Sequence, residues 1–127
     1  MPDRLAQFRD ALALYRRHGW SLARVLMTPA TLAELPRAGA ARVDLSAPPT
    51  FESAAVREAD VDAMWLRRPS AGGREAWELR LISDPPYALF ELFEPDEAEE
   101  DREDVRREME ARLSEYANGG TGERGKG

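Results

Sequence analysis

The sequence predicts an α+β fold: an N-terminal helix, an antiparallel sheet of four or five strands, and an acidic C-terminal helix. Three observations carry that expectation. Residues 61–94 split into runs of strand character, Val61 to Arg68, Arg74 to Ser83 and Ala88 to Glu94, each bounded by glycine, proline, serine or aspartate. Before them, Leu5, Phe8, Ala11, Leu12 and Tyr15 recur at helical spacing; after them, so do Val105, Met109, Leu113 and Tyr116.

Taken in order, Asp3 to His18 reads as the first helix, with Pro2 near its start and Gly19 just past its end. Its apolar stripe is expected to pack on the sheet. Trp20 to Thr28 reads as a strand of mixed periodicity, Ala23, Val25 and Met27 falling on one side and Leu22, Arg24 and Leu26 on the other, with a helical continuation as the rival. Thr28 before Pro29 is an N-cap followed by an N1 proline, so Pro29 to Leu35 is expected as a short helix stopped by Pro36, with Leu32 and Leu35 on its apolar side. From Arg37 to Ala59 the signals are weaker. Val43 and Leu45 fit a short edge strand, Pro48 and Pro49 break it, and Thr50 to Arg57 fits either an extended segment or one helical turn.

The three runs from 61 to 94 are expected to form a meander whose register follows from keeping both faces sensible. Pairing Arg68 with Arg74 and Ser83 with Ala88 puts Val61, Ala63 and Trp65 beside Leu81, Leu79 and Trp77, with Phe90 and Leu92 completing that apolar face. The opposite face then carries a charge ladder, Asp62, Arg80 and Glu91, among Met64, Leu66, Ile82, Leu89 and Phe93. Beyond the sheet, Asp96 and Glu99 resemble a capping box. The acidic run to Asp104 suits a helix start, and Glu103 with Arg107 and Glu108 with Arg112 are placed for i, i+4 pairs up to Asn118 and Gly119.

At 127 residues the chain is expected to form one domain over residues 1–119, burying about two thirds of its unfolded surface, with the glycine-rich residues 120–127 as a flexible tail. No cysteine is present, which excludes disulfides and thiolate chemistry and fits a reducing cytoplasm. No stretch approaches the ~18 apolar residues of a membrane span, and no membrane partner is expected. Of the net charge of −6, residues 96–127 carry −5. That balance argues against nonspecific nucleic-acid binding, which needs cations on phosphates. Seventeen of the eighteen basic residues are arginine, a compositional bias and not a site.

The chemistry a site needs is sparse. His18 is the one histidine, and its place in the last turn of a helix is explained by the dipole. No phosphate-cradling glycine loop, nucleophile elbow or metal-ligand spacing occurs, so no catalytic residue, metal or cofactor is predicted. The acidic run 96–104 points around a helix, whereas a hard cation needs oxygens converging on one point. What stands out is the ladder Asp62, Arg80 and Glu91 together with the apolar surface around it, more than a solvated sheet face carries. In size, acidity and helix–sheet–helix layout the chain resembles small bacterial secretion chaperones and toxin-immunity proteins, a likeness of layout that transfers no residue roles. The expected function is a non-catalytic protein-binding module, an adaptor, chaperone or immunity-type inhibitor. It would use Asp62, Met64, Leu66, Arg80, Ile82, Leu89, Glu91 and Phe93 toward another protein or a second copy, a homodimer being the default. The alternative is a small enzyme or ligand-binding protein with its site around Asp62, Arg80 and Glu91.

Overall fold

A computed structural model of the chain describes residues 4–35, 49–83 and 85–119. In chain order the elements are α1 (Arg4–Arg17), β1 (Ser21–Met27), α2 (Pro29–Leu32), β2 (Thr50–Phe51), β3 (Ala54–Glu58), β4 (Ala63–Pro69), β5 (Glu75–Leu81), β6 (Tyr87–Phe93) and α3 (Glu99–Ala117). The strands form one sheet in the order β2-β3-β1-β4-β5-β6. The α+β class is as expected, but the sheet has six strands and is mixed, because β1 pairs parallel to β3. A parallel neighbour needs a crossover connection, which here runs through α2 and β2. The expected edge strand at Val43 and Leu45, the stop at Pro36 and the tail 120–127 lie outside the described residues.

A helix packs on each face of the sheet, α1 on one, with Leu32 of α2 beside it, and α3 on the other. On the first, Leu5, Phe8, Ala11 and Leu12 of α1 meet Val25, Met27, Phe51, Val56, Met64, Leu66 and Ile82. On the second, Met109 and Leu113 of α3 meet Leu26, Ala63, Trp65, Trp77, Leu79, Leu81 and Phe93. The mixed periodicity of the first strand has a local cause: the β1–β4 register jumps between Leu22 and Arg24. This bulge at Ala23 leaves Leu22 with Val25 and Met27 on the α1 side, and turns Arg24 onto the α3 side with Leu26. Thr28 caps α2 as its sequence suggests, its hydroxyl accepting from the Thr31 N–H at 3.3 Å.

The meander is antiparallel, with two corrections to its register. Between β4 and β5 the pairs are Ala63 with Leu81, Trp65 with Leu79 and Pro69 with Glu75, two residues from the expected alignment. An even shift keeps every side chain on its face, so the apolar assignment of this hairpin stands. Gly72 and Gly73, with φ of 73° and 77°, make the tight turn that closes it. Between β5 and β6 the pairs are Leu81 with Tyr87, Leu79 with Leu89, Glu78 with Phe90 and Trp77 with Glu91. That is an odd shift, and it inverts β6. Leu89, Glu91 and Phe93 lie on the Trp77 side, and Ala88, Phe90 and Leu92 on the other.

The inversion has a physical reason. Ile82 leaves β6 and stays with β4, its N–H donating to the Asp62 carbonyl at 2.9 Å, so the connection to β6 is longer than a Ser83–Ala88 pairing allows. The inverted strand stacks Phe93 edge-on against Trp77, with ring centroids 6.4 Å apart, and Tyr87 face-on against Tyr116 at 3.7 Å. The cost is Glu91 on the inner face. Because β6 is the last strand, that carboxylate sits at the margin of the core and remains half-buried.

The start of α3 is also corrected. Ala98 stands at the N-cap with no side-chain cap, and Glu97 instead accepts the Glu94 N–H at 2.7 Å within the turn after β6. Glu99, Glu100 and Asp101 in the first turn answer the helix dipole. The Glu108–Arg112 pair forms at 3.4 Å, whereas Glu103 turns to Arg24 and Arg106, and Arg107 takes Asp104.

Candidate functional site

The register decides what becomes of the predicted site, because it breaks the ladder. Asp62 lies at the start of β4 at 9 % exposure. It accepts from the Thr28 N–H at 2.9 Å and the Thr31 hydroxyl at 2.9 Å, with Arg4 Nε 3.4 Å away. These contacts tie the end of β1 and the start of α2 to β4. Arg80 is two pairs further along, beside Met64 and Ala88, with its guanidinium 5.8 Å from the centre of the Tyr15 ring. Glu91 is opposite Trp77 on the other face. The three charged residues are not brought together.

Next to Arg80, the Tyr15 hydroxyl donates to Glu78. Burial, reinforced by the Glu78 carboxylate, pushes the Tyr15 pKa up to about 12. This group fixes α1 to β5. The apolar part of the predicted site divides in the same way. Met64, Leu66 and Ile82 are buried beneath α1, and Leu89 and Phe93 lie on the α3 side.

A cleft of about 400 Å³ opens at the end of the sheet between Arg4, Asp60, Asp62, Ser83 and Asn118. Its carboxylates hold internal partners: Asp60 accepts from Ser114 at 2.6 Å and Asn118 at 3.1 Å, and Asp62 is engaged as above. The acidic start of α3 is similarly occupied by arginines. Arg106, 1 % exposed, lies 4.3 Å over Trp77 and pairs with Glu99 and Glu103, while Arg24 Nη2 and Nη1 donate to Glu103 at 2.9 and 3.1 Å. Those donors, Arg24 first, hold the Glu103 carboxyl below its usual range. Among the described residues no group of three or more potential metal ligands converges. Nor is any helix of the described residues long and apolar enough to cross a membrane.

The surface that remains is the outer side of β6. It presents Ala88, Phe90 at 58 % exposure and Leu92 at 37 %, on a strand with no neighbour beyond it among the described residues. A cleft of about 410 Å³ lies beside Phe90, lined by Trp20, Arg68, Pro69 and Ala76. The covering helix α1 does not extend over this strip. The expected register puts Phe90 and Leu92 on the core face because the slipped one sets the Glu91 carboxylate among apolar side chains. The last strand of a meander is an edge by default, and an inward-pointing charge is one of the features that mark edges. That signal was present in the sequence.

With this geometry, the chain is an α+β protein with helices on both sides of a mixed sheet and an open apolar edge. Comparison with protein-family models, curated proteins and solved structures finds no match.

Proposed function

We propose that the protein is a non-catalytic protein-binding module whose contact surface is strand β6. The supporting observation is an exposed Phe90–Leu92 strip on a seven-residue edge strand. Such a strand offers a partner a row of unpaired N–H and C=O groups, and its alternate side chains supply specificity. Six of its seven residues are uncharged, in a chain that is 33 % charged. Adaptor, chaperone and inhibitor roles all use such a surface, and the fold class does not choose among them.

Phe90→Glu tests this. A side chain that faces water in the isolated protein is replaced at little cost, so denaturant unfolding is expected to change by less than about 0.5 kcal/mol. Binding to a partner strand is expected to be lost. A destabilisation above about 2 kcal/mol would mean that the chain itself buries Phe90, and the surface would not be available to a partner.

A further inference from the structure

We infer that the strand received by β6 is an extended segment of another protein, apolar on one face and basic on the other. This rests on β6 being a protein-binding edge, and goes further by naming the chemistry of the occupant. The two sides of the edge differ. Toward α1 the strip is Ala88, Phe90 and Leu92, with the Phe90 cleft beside it. Toward α3 it carries Glu91, while Arg102 of α3, packed on Phe93 of the same strand, is engaged by Glu75 and the Glu94 carbonyl. Glu91 is half-buried there with no cationic partner among the described residues, and Tyr116 stacked on Tyr87 fixes which stripe of α3 overhangs β6. By helical spacing Val105, Met109 and Arg112 share that stripe, and Asp101 and Glu108 lie at its outer margin, Glu108 paired with Arg112.

A strand added to β6 therefore meets apolar surface with one set of alternate residues and the Glu91 carboxylate with the other. Lysine or arginine at the second set would neutralise Glu91 where it is partly desolvated, and an opposite charge counts for more there than in open water. A second copy of the chain is the poorer occupant. Antiparallel self-pairing centred on Phe90 brings two Glu91 carboxylates within about 8 Å of each other on one face, inside the screening length. It also places two acidic α3 helices side by side. Glu91 thus disfavours self-pairing and favours a cationic strand.

The test uses the full chain and three labelled peptides of about ten residues. One alternates lysine and valine, one alternates glutamate and valine, and one is the lysine peptide interrupted by proline. Fluorescence anisotropy is combined with hydrogen exchange on residues 87–93. The lysine–valine peptide is expected to bind at least about tenfold more tightly than either control, to slow exchange in β6, and to lose about tenfold with Glu91→Lys or Phe90→Ser. Equal binding of the glutamate or proline peptide, or protection confined to other elements, would overturn the inference. So would β6 protection that rises with protein concentration alone, which assigns the edge to a second copy. Failure of all three peptides against a β6 that exchanges fast in dilute protein removes the basic occupant but leaves the edge open to other strands. Slow exchange of β6 in dilute protein without peptide would remove the binding edge itself.

Discussion

Single residues carry two kinds of local cost here, and one can be relieved. The β2–β3 hairpin has a two-residue loop, Glu52 and Ser53, with Phe51 paired to Ala54. A tight hairpin turn of this kind needs positive φ at both positions, and they have φ of 51° and 72°. Neither is glycine or asparagine, so nothing in the sequence marked the turn, and residues 50–57 read equally as a strand or a helical turn. Glu52 has a reason to be there: its carboxylate lies 3.9 Å from Arg9 and 3.6 Å from Arg16 of α1. Ser53 has no comparable contact among the described residues. Ser53→Gly is expected to stabilise the protein by about 1 kcal/mol by removing the left-handed penalty, less the entropy glycine adds to the unfolded chain. The urea midpoint is expected to rise at constant slope, and a fall would show that the serine conformation carries no strain. The second cost is the buried guanidinium of Arg106, whose consequences belong to the helix it sits on.

Among the elements, α3 is held in an unusual way. Of its residues only Arg106, Met109 and Leu113 are buried, and an arginine occupies the central place over Trp77 and Phe93. Its Nη1 has no hydrogen-bond partner among the described residues, an unfavourable feature offset by stacking on two aromatic rings and by the long side chain filling the space. Arg106→Ala is expected to cost about 2 to 4 kcal/mol, since it empties that space. Arg106→Met keeps the volume and removes the unpaired donor, and is expected to fall within about 1 kcal/mol of wild type. If methionine is as damaging as alanine in thermal unfolding, the charge and not the packing docks the helix. The existence and stripe of α3 were legible from Val105, Met109, Leu113 and Tyr116. Arg106 was not, because an arginine one position from the apolar stripe looks solvated unless the sheet it meets is known to present tryptophan. The bulge in β1 was half legible: the mixed alternation at residues 20–28 was its trace, but only pairing with β4 could place it at Ala23.

At the scale of the whole molecule, the fold class and the two covering helices followed from hydropathic periodicity, and the sheet order did not. Parallel pairing of β1 with β3 is a long-range choice, and the crossover leading to it passes through residues of weak pattern. The charge ladder failed for a related reason: local turn chemistry permits more than one register, and tertiary contacts of Ile82, Tyr87 and Phe93 selected the one that inverts β6. The same arrangement ties the two sides of the molecule to pH. Arg24, turned by the bulge, joins Glu103 of α3 to β1, and this hydrogen bond is the main cause that holds the Glu103 carboxyl below its ordinary 4.5, with burial opposing and Arg106 adding to it. A carboxyl whose folded pKa is depressed contributes stability that is fully present above the unfolded pKa and is lost as pH falls through the folded one. Glu103→Gln is therefore expected to be less stable than wild type at about pH 7, with the difference constant down to about pH 4.5 and closing below it. Urea unfolding of both proteins at stepped pH measures this. A difference that stays level into strong acid would show that Glu103 contributes through shape alone, and that the Arg24 contact is not what fastens α3 to β1.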